Sequence, residues 1–203
     1  MRIARPTSSF LIGVALVVAV APIWAEGEPP IPFSLPIPDG WRTETIPFPL
    51  GFAPELDYTG LEELRFAPGM FTAGAEDYWT YAFVWWIPLA ADPGAERLQA
   101  DLEAYFFGLT RVVARGNGFD PGNPAYEATL REIDGAGPGH LRGRVLAFDA
   151  FTTRSAVELN VRVENHPCEK AGQRALIFML SPQAEDHAVW RSLEQIKNGF
   201  RCD

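Results

Sequence analysis

From residue 77 to residue 87 the chain is apolar on both sides of a period of two. Trp79, Tyr81, Phe83, Trp85 and Ile87 alternate with Tyr78, Thr80, Ala82, Val84 and Trp86. A strand apolar on both faces is one covered on both faces, so this segment predicts a central strand, ended by Pro88. Residues 174–180 have the same character and predict a second. Residues 156–165 differ: Val157, Leu159, Val161 and Val163 alternate with Glu158, Asn160, Arg162 and Glu164. That is a strand with one face on a core and the other on water or a ligand. Residues 126–133 and 140–151 read as two more strands joined by the turn-rich 134–139. Shorter ones at 42–46 and 61–66 are separated by Pro- and Gly-rich turns.

A helical period follows twice. Asp92 and Pro93 suit an N-cap and first position, and Leu98, Leu102, Tyr105, Phe106, Leu109 and Val113 form one apolar stripe. Ser181 and Pro182 repeat the signature before Val189, Trp190, Leu193, Ile196 and Phe200, with Asn198-Gly199 as the stop. Early strands, a helix, a four-strand meander and a final helix describe an α+β domain. The expected fold is a twisted, largely antiparallel sheet with one mid-chain and one C-terminal helix packed on it.

The first 40 residues change the picture of where this domain works. Arg2 and Arg5 precede an uncharged apolar run, Phe10 to Ala21, which is short for a bilayer span but suits a signal-peptide core. Cleavage after Ala25 is expected, since the alternative after Ala21 would leave Pro22 at the cut. The expected organisation is a signal peptide over 1–25, a Pro-rich lead-in over 26–39 and one globular domain over 40–203. Location would then be periplasmic or secreted. With no Cys near the cut, no stable membrane anchor is expected. Removing 1–25 takes two of the 17 basic residues and none of the 26 acidic ones, moving the formal net charge from −9 to −11. Such a chain is repelled by phosphate backbones, which argues against nucleic acid as a partner.

Cys168 and Cys202 are the two cysteines. In an oxidising compartment they predict one disulfide. A strand leaving Cys168 and a helix returning from it cover similar distances, so Cys202 lands beside Cys168. A metal site built on this pair and His166 lacks a further ligand.

No nucleophile elbow, zinc-hydrolase, phosphate-loop, C-x-x-C or dinucleotide motif is present, so no catalytic residue, metal or cofactor is expected. The candidate ligand site is the polar face of the meander: His140, Arg142 and Arg144 on one strand, Glu158, Asn160 and Arg162 on the next. Asp149 falls among apolar positions and reads as a structural anchor, a site residue or the mark of a bulge. Trp79, Tyr81 and Trp85 would make a sugar-stacking platform if exposed, but their strand reads as core.

The opening Phe33-Ser34-Leu35-Pro36-Ile37-Pro38-Asp39-Gly40-Trp41 resembles the Pro-x-Gly-Trp opening common in proteins of the Mog1/PsbP-like fold. The closing apolar strand, with Ser181 leading an amphipathic helix, is similar too. The resemblance implies a twisted antiparallel sheet flanked by helices and a binding or accessory role. The expected function is that of an exported, bacterial-type, non-catalytic protein that binds a small polar ligand or an unknown protein partner. The alternative is a hydrolase using carboxylates such as Asp149 and Glu158, brought together by the fold. Self-association through a sheet edge is a third possibility.

Overall fold

A computed structural model describes residues 31–202 of the chain, so the signal-peptide reading lies outside the described residues. The domain is α+β, built on a seven-stranded sheet in the order β2-β3-β4-β8-β7-β6-β5, antiparallel at every pairing. Its strands are β2 (Arg42–Pro47), β3 (Leu61–Phe66), β4 (Tyr81–Pro88), β5 (Glu127–Glu132), β6 (His140–Asp149), β7 (Ser155–Cys168) and β8 (Gln173–Ser181). Helix α1 (Ala95–Gly116) leaves β4 and carries the chain over one face to the far edge. From there β5 to β8 return as a meander, so that β8 closes against β4.

The two segments apolar on both sides are that closing pair. Every residue from Tyr81 to Ile87 on β4 is buried, as is every residue from Arg174 to Ser181 on β8. One face of the pair stacks Phe83 on Phe178, ring centroids 4.5 Å apart, with Tyr105 of α1 parallel to Phe83 at 5.5 Å. Helix α1 also packs on β5 and β6. It approaches the 50s loop so closely at Gly108 that a Cβ there would stand 1.9 Å from the Phe52 carbonyl oxygen. On the other face α2 (Val189–Asn198) lies on β8 and β4 through Trp190, Leu193 and Ile196.

Both helices start later than their caps suggest. Asp92 is diverted to Arg174, with an N–O distance of 3.1 Å, and Gly94 takes the N-cap of α1. Ser181 remains in β8, its hydroxyl 2.8 Å from that of Thr80, and α2 begins only at Val189. Likewise β4 begins at Tyr81 rather than residue 77. Trp79 has a φ of +50° and belongs to the preceding turn.

Part of the Pro-rich lead-in belongs to the folded body. β1 (Phe33–Ser34) pairs with β9 (Arg201–Cys202), and Phe33 packs on Trp86 and Phe200. Beyond it, the buried Arg65 guanidinium donates to the carbonyls of Leu35 and Pro36 at 3.0 and 3.1 Å, and is paired with Glu63. Cys168 and Cys202 form the disulfide, joining the end of β7 to β9. It closes a loop of 34 residues, for which loop entropy suggests about 3–4 kcal/mol. Cys168→Ser/Cys202→Ser should therefore lower the unfolding free energy by about that amount. Hydrogen exchange should rise first in α2, β9 and the lead-in; unchanged protection there would show that noncovalent packing alone holds the corner.

Candidate functional site

Strand register places the six polar residues read from the alternation on one face. Across β6 and β7, Arg142 stands opposite Arg162, Arg144 opposite Asn160 and His140 opposite Glu164. The end of α2 and the segment before it then divide this face. Arg162 pairs with Glu185 and, at 2.7 Å, with Glu194. Lys197 takes Glu164 at 2.9 Å, and His140 and His166 also lie against that carboxylate. Burial opposes ionisation of Glu164, but hydrogen bonds from His166 and Lys197 hold its pKa down at about 2. Asn160 donates to the Gln183 carbonyl at 3.0 Å. Arg162 and Asn160 are thus committed to holding α2 and its approach. Arg144, in an exposed pair with Glu158 at 3.1 Å, and Arg142 remain on the open part.

Asp149 and Glu158 do not meet. Glu158 lies on the solvent face opposite Leu146, whereas Asp149 is fully buried at the end of β6. Its carboxylate accepts from the backbone N–H groups of Phe151, Thr152 and Thr153 at 2.9, 3.0 and 2.6 Å. The hydroxyls of Thr153 and Tyr78 add bonds of 2.8 and 2.5 Å. Burial works against the charge, yet the Tyr78 and Thr153 hydrogen bonds outweigh it and lower the pKa. Asp149 is therefore an anchor. It ties the 150–154 turn to Tyr78, and Thr152 ties it to the Phe71 carbonyl at 3.2 Å.

What that anchor positions is a cavity on the α1 side, at the β2–β3 end of the sheet. About 440 Å³ is enclosed by residues that include Phe66, Phe71, Trp79, Tyr81, Tyr105, Leu109, Val113 and Phe151. The α1 stripe explains the space: Leu98, Leu102, Tyr105 and Phe106 are buried in the core, while Leu109 and Val113, the next turns, border the cavity and are only half-buried. Val112 and Phe151, 47% and 37% exposed, lie at its rim. Arg42 and Glu44 of β2 supply charge at the margin, the Arg42 guanidinium lying over the Phe71 ring at 5.1 Å.

The polar atoms in this wall are unusual. The Tyr81 hydroxyl is buried without a hydrogen-bond partner, and the Trp79 indole N–H is buried beside the Tyr78 hydroxyl. An unpaired buried donor costs about 1–3 kcal/mol, and Trp79 adds the strain of its left-handed backbone, fixed by Trp79 N–H to the Met70 carbonyl at 3.1 Å. Beside Tyr81 lies fully buried Glu62, which accepts from Trp85 Nε1 at 3.0 Å and leaves Oε2 without a partner. Burial raises its pKa to about 8, opposed by hydrogen bonds from Trp85 and Tyr105 and assisted by the Glu44 charge. At neutral pH the carboxyl is mostly protonated.

Trp79, Tyr81 and Trp85 are all buried, as the core reading of their strand expected, so the three form no exposed platform. Arg42, Glu44, Glu62, Phe71 and Phe151 were not singled out by the sequence pattern. Their convergence depends on loop positions; the one local signal was the α1 stripe, which runs two turns beyond what the core fills. Among the described residues no group of three His, Cys, Asp or Glu is placed to hold a metal ion, and no helix is long and apolar enough to cross a membrane. Compared with family models, curated proteins and solved structures, the chain matches none of them.

Two outcomes follow from this chemistry. Glu62 holds its proton in the fold between its ordinary pKa near 4.5 and about 8, where the unfolded chain releases it. Stability should therefore fall as pH rises through that window, by up to about 1.4 kcal/mol per pH unit. Denaturant titrations of Glu62→Gln should show that slope removed. Asp149→Ala should cost about 3–5 kcal/mol, as expected for a buried charge network deprived of its acceptor. Its thermal melt, set beside that of Glu158→Ala, should show a large loss only for Asp149.

Proposed function

We propose that this protein is an exported, non-catalytic binding protein whose ligand occupies the aromatic cavity between the sheet and α1. The observation that carries the reading is a largely aromatic cavity of about 440 Å³ lined by Trp79 and Tyr81, with the buried Tyr81 Oη left without a hydrogen-bond partner. Ligand sites are typically concave, mostly apolar and furnished with a few convergent polar groups. A ligand with an aromatic or alicyclic body and a neutral acceptor, such as a carbonyl or ether oxygen, would pack among the rings and offer the Tyr81 hydroxyl a partner. A binding or accessory role is also what the Mog1/PsbP-like resemblance implies. The disulfide supports an oxidising location. Against the hydrolase alternative stands the position of Asp149 and Glu158 on opposite faces, the former committed to five hydrogen bonds.

A solvatochromic naphthalene ketone, 6-propionyl-2-dimethylaminonaphthalene, tests this directly. Its ring system suits the cavity and its carbonyl offers the acceptor. Binding should blue-shift and intensify its emission. Val113→Trp, which fills the cavity from α1, should abolish the change. Tyr81→Phe should weaken binding about tenfold, the worth of one desolvated hydrogen bond, while leaving the ligand-free protein equally or more stable. An unaltered signal in Val113→Trp would place the probe elsewhere and refute the reading.

A further inference from the structure

The opposite face of the sheet carries a second arrangement that the aromatic cavity does not use. Arg131 of β5 stands directly opposite Arg142 of β6, and Arg142 opposite Arg162 of β7, so three guanidinium side chains form one cross-strand row. Like charges directly opposite one another are destabilising. The row is only partly neutralised. Arg162 has Glu185 and Glu194, whereas among the described residues no carboxylate forms an ion pair with Arg131 or Arg142. Arg142 Nε is buried and has no hydrogen-bond partner. One step along, Thr129, Arg144 and Asn160 form the parallel row. Arg131 and Arg142 of the first row and Thr129, Arg144 and Asn160 of the second line a groove of about 260 Å³ with Glu185 at its border.

Gly143 draws the groove together. A Cβ at that position would stand 1.6 Å from the Thr129 carbonyl oxygen, so a side chain there would push β5 away. Glycine lets β5 close on β6 and brings Arg131 and Thr129 up to Arg142 and Arg144.

We infer that this groove binds a compact oxyanion, a small molecule bearing a phosphate, sulfate or carboxylate group, between Arg131 and Arg142. Guanidinium forks match such oxygens in bidentate geometry. The Thr129 hydroxyl supplies a further donor, and Arg144, whose pair with Glu158 is exposed and weak, can turn to the same anion. Selection for a compact ligand comes from the margin. Glu127 and Glu158 line the adjoining hollow with Arg144, Glu185 borders the groove, and the chain is acidic overall. An extended polyanion would meet these carboxylates, whereas a single headgroup fits between them.

The test uses the full chain with three probes: inorganic phosphate, citrate, and vesicles containing phosphatidylglycerol. Calorimetry should show saturable binding of phosphate or citrate in the millimolar range or tighter, and the Arg142 Nε–H resonance should shift with the same midpoint. Arg142→Gln should reduce affinity at least about tenfold, the loss expected for a charged hydrogen-bonding partner. Arg191→Gln, on the exposed side of α2, should leave affinity unchanged. In anion-free buffer Arg142→Gln should melt no lower than the parent protein, because it relieves repulsion within the row; this confirms that the variant folds. Equal binding by Arg142→Gln, absence of saturable binding by either anion, or a preference for the vesicles would overturn the assignment. The two sites lie on opposite faces, so Val113→Trp should leave anion binding intact.

Discussion

Phe83 lies on Phe178 across the junction of β4 and β8, and Tyr105 lies parallel to Phe83 from the helix above. This stack joins segments far apart in the chain: the strand before α1 and the last strand of the meander. It forms only when α1 has crossed the sheet and the meander has returned. Both faces of β4 and β8 are consequently removed from water, and each needs a helix to cover it. The position of α1, the position of α2 and the direction of the meander all answer to that requirement.

Neither helix covers its whole face. Helix α1 seals the core with its N-terminal half, and its later turns stand off from the β2–β3 end. Helix α2 covers β4 and β8 but stops at the Arg162 and Glu164 row of β7. What is left uncovered differs in chemistry because the strands differ. At the β2–β3 end the α1 side presents Phe66, Tyr81 and neighbouring loop aromatics. On the α2 side the outer meander strands present arginines. The binding capacity of each face is thus the residue of incomplete coverage, apolar on one and cationic on the other.

Much of this framework was visible in residue alternation. β3 lies at the predicted bounds, and the period-two pattern of β7 assigned its polar face correctly because alternate side chains must point oppositely. The misread starts share one cause. Asp92 and Ser181 have the right chemistry for helix caps, but Arg174 and Thr80 claim their side chains from elsewhere in the chain. Trp79 continues the alternation in sequence and leaves it in space, because the 67–80 loop turns its backbone to positive φ. The candidate sites were less legible. Pattern put Arg142 and Arg144 together but could not show that α2 would claim Arg162, or that Arg131 would join the row through β5. The aromatic cavity rests on loop residues such as Phe71 and Phe151, whose spacing carries no period.

The corner formed by β1, β9 and the cystine has a mechanical meaning. β1 is joined to β9 by strand pairing, and β9 to the end of β7 by a covalent bond. Tension applied to the lead-in at residue 32 would load the short β1–β9 ladder and the Arg65 clamp in shear, then pass through sulfur into the centre of the sheet. α2 lies between these attachment points in sequence but outside the path of the force. A pull on that end would thus be borne by the sheet's longest strand, β7, which carries Arg162, leaving α2 unloaded until the ladder and clamp gave way.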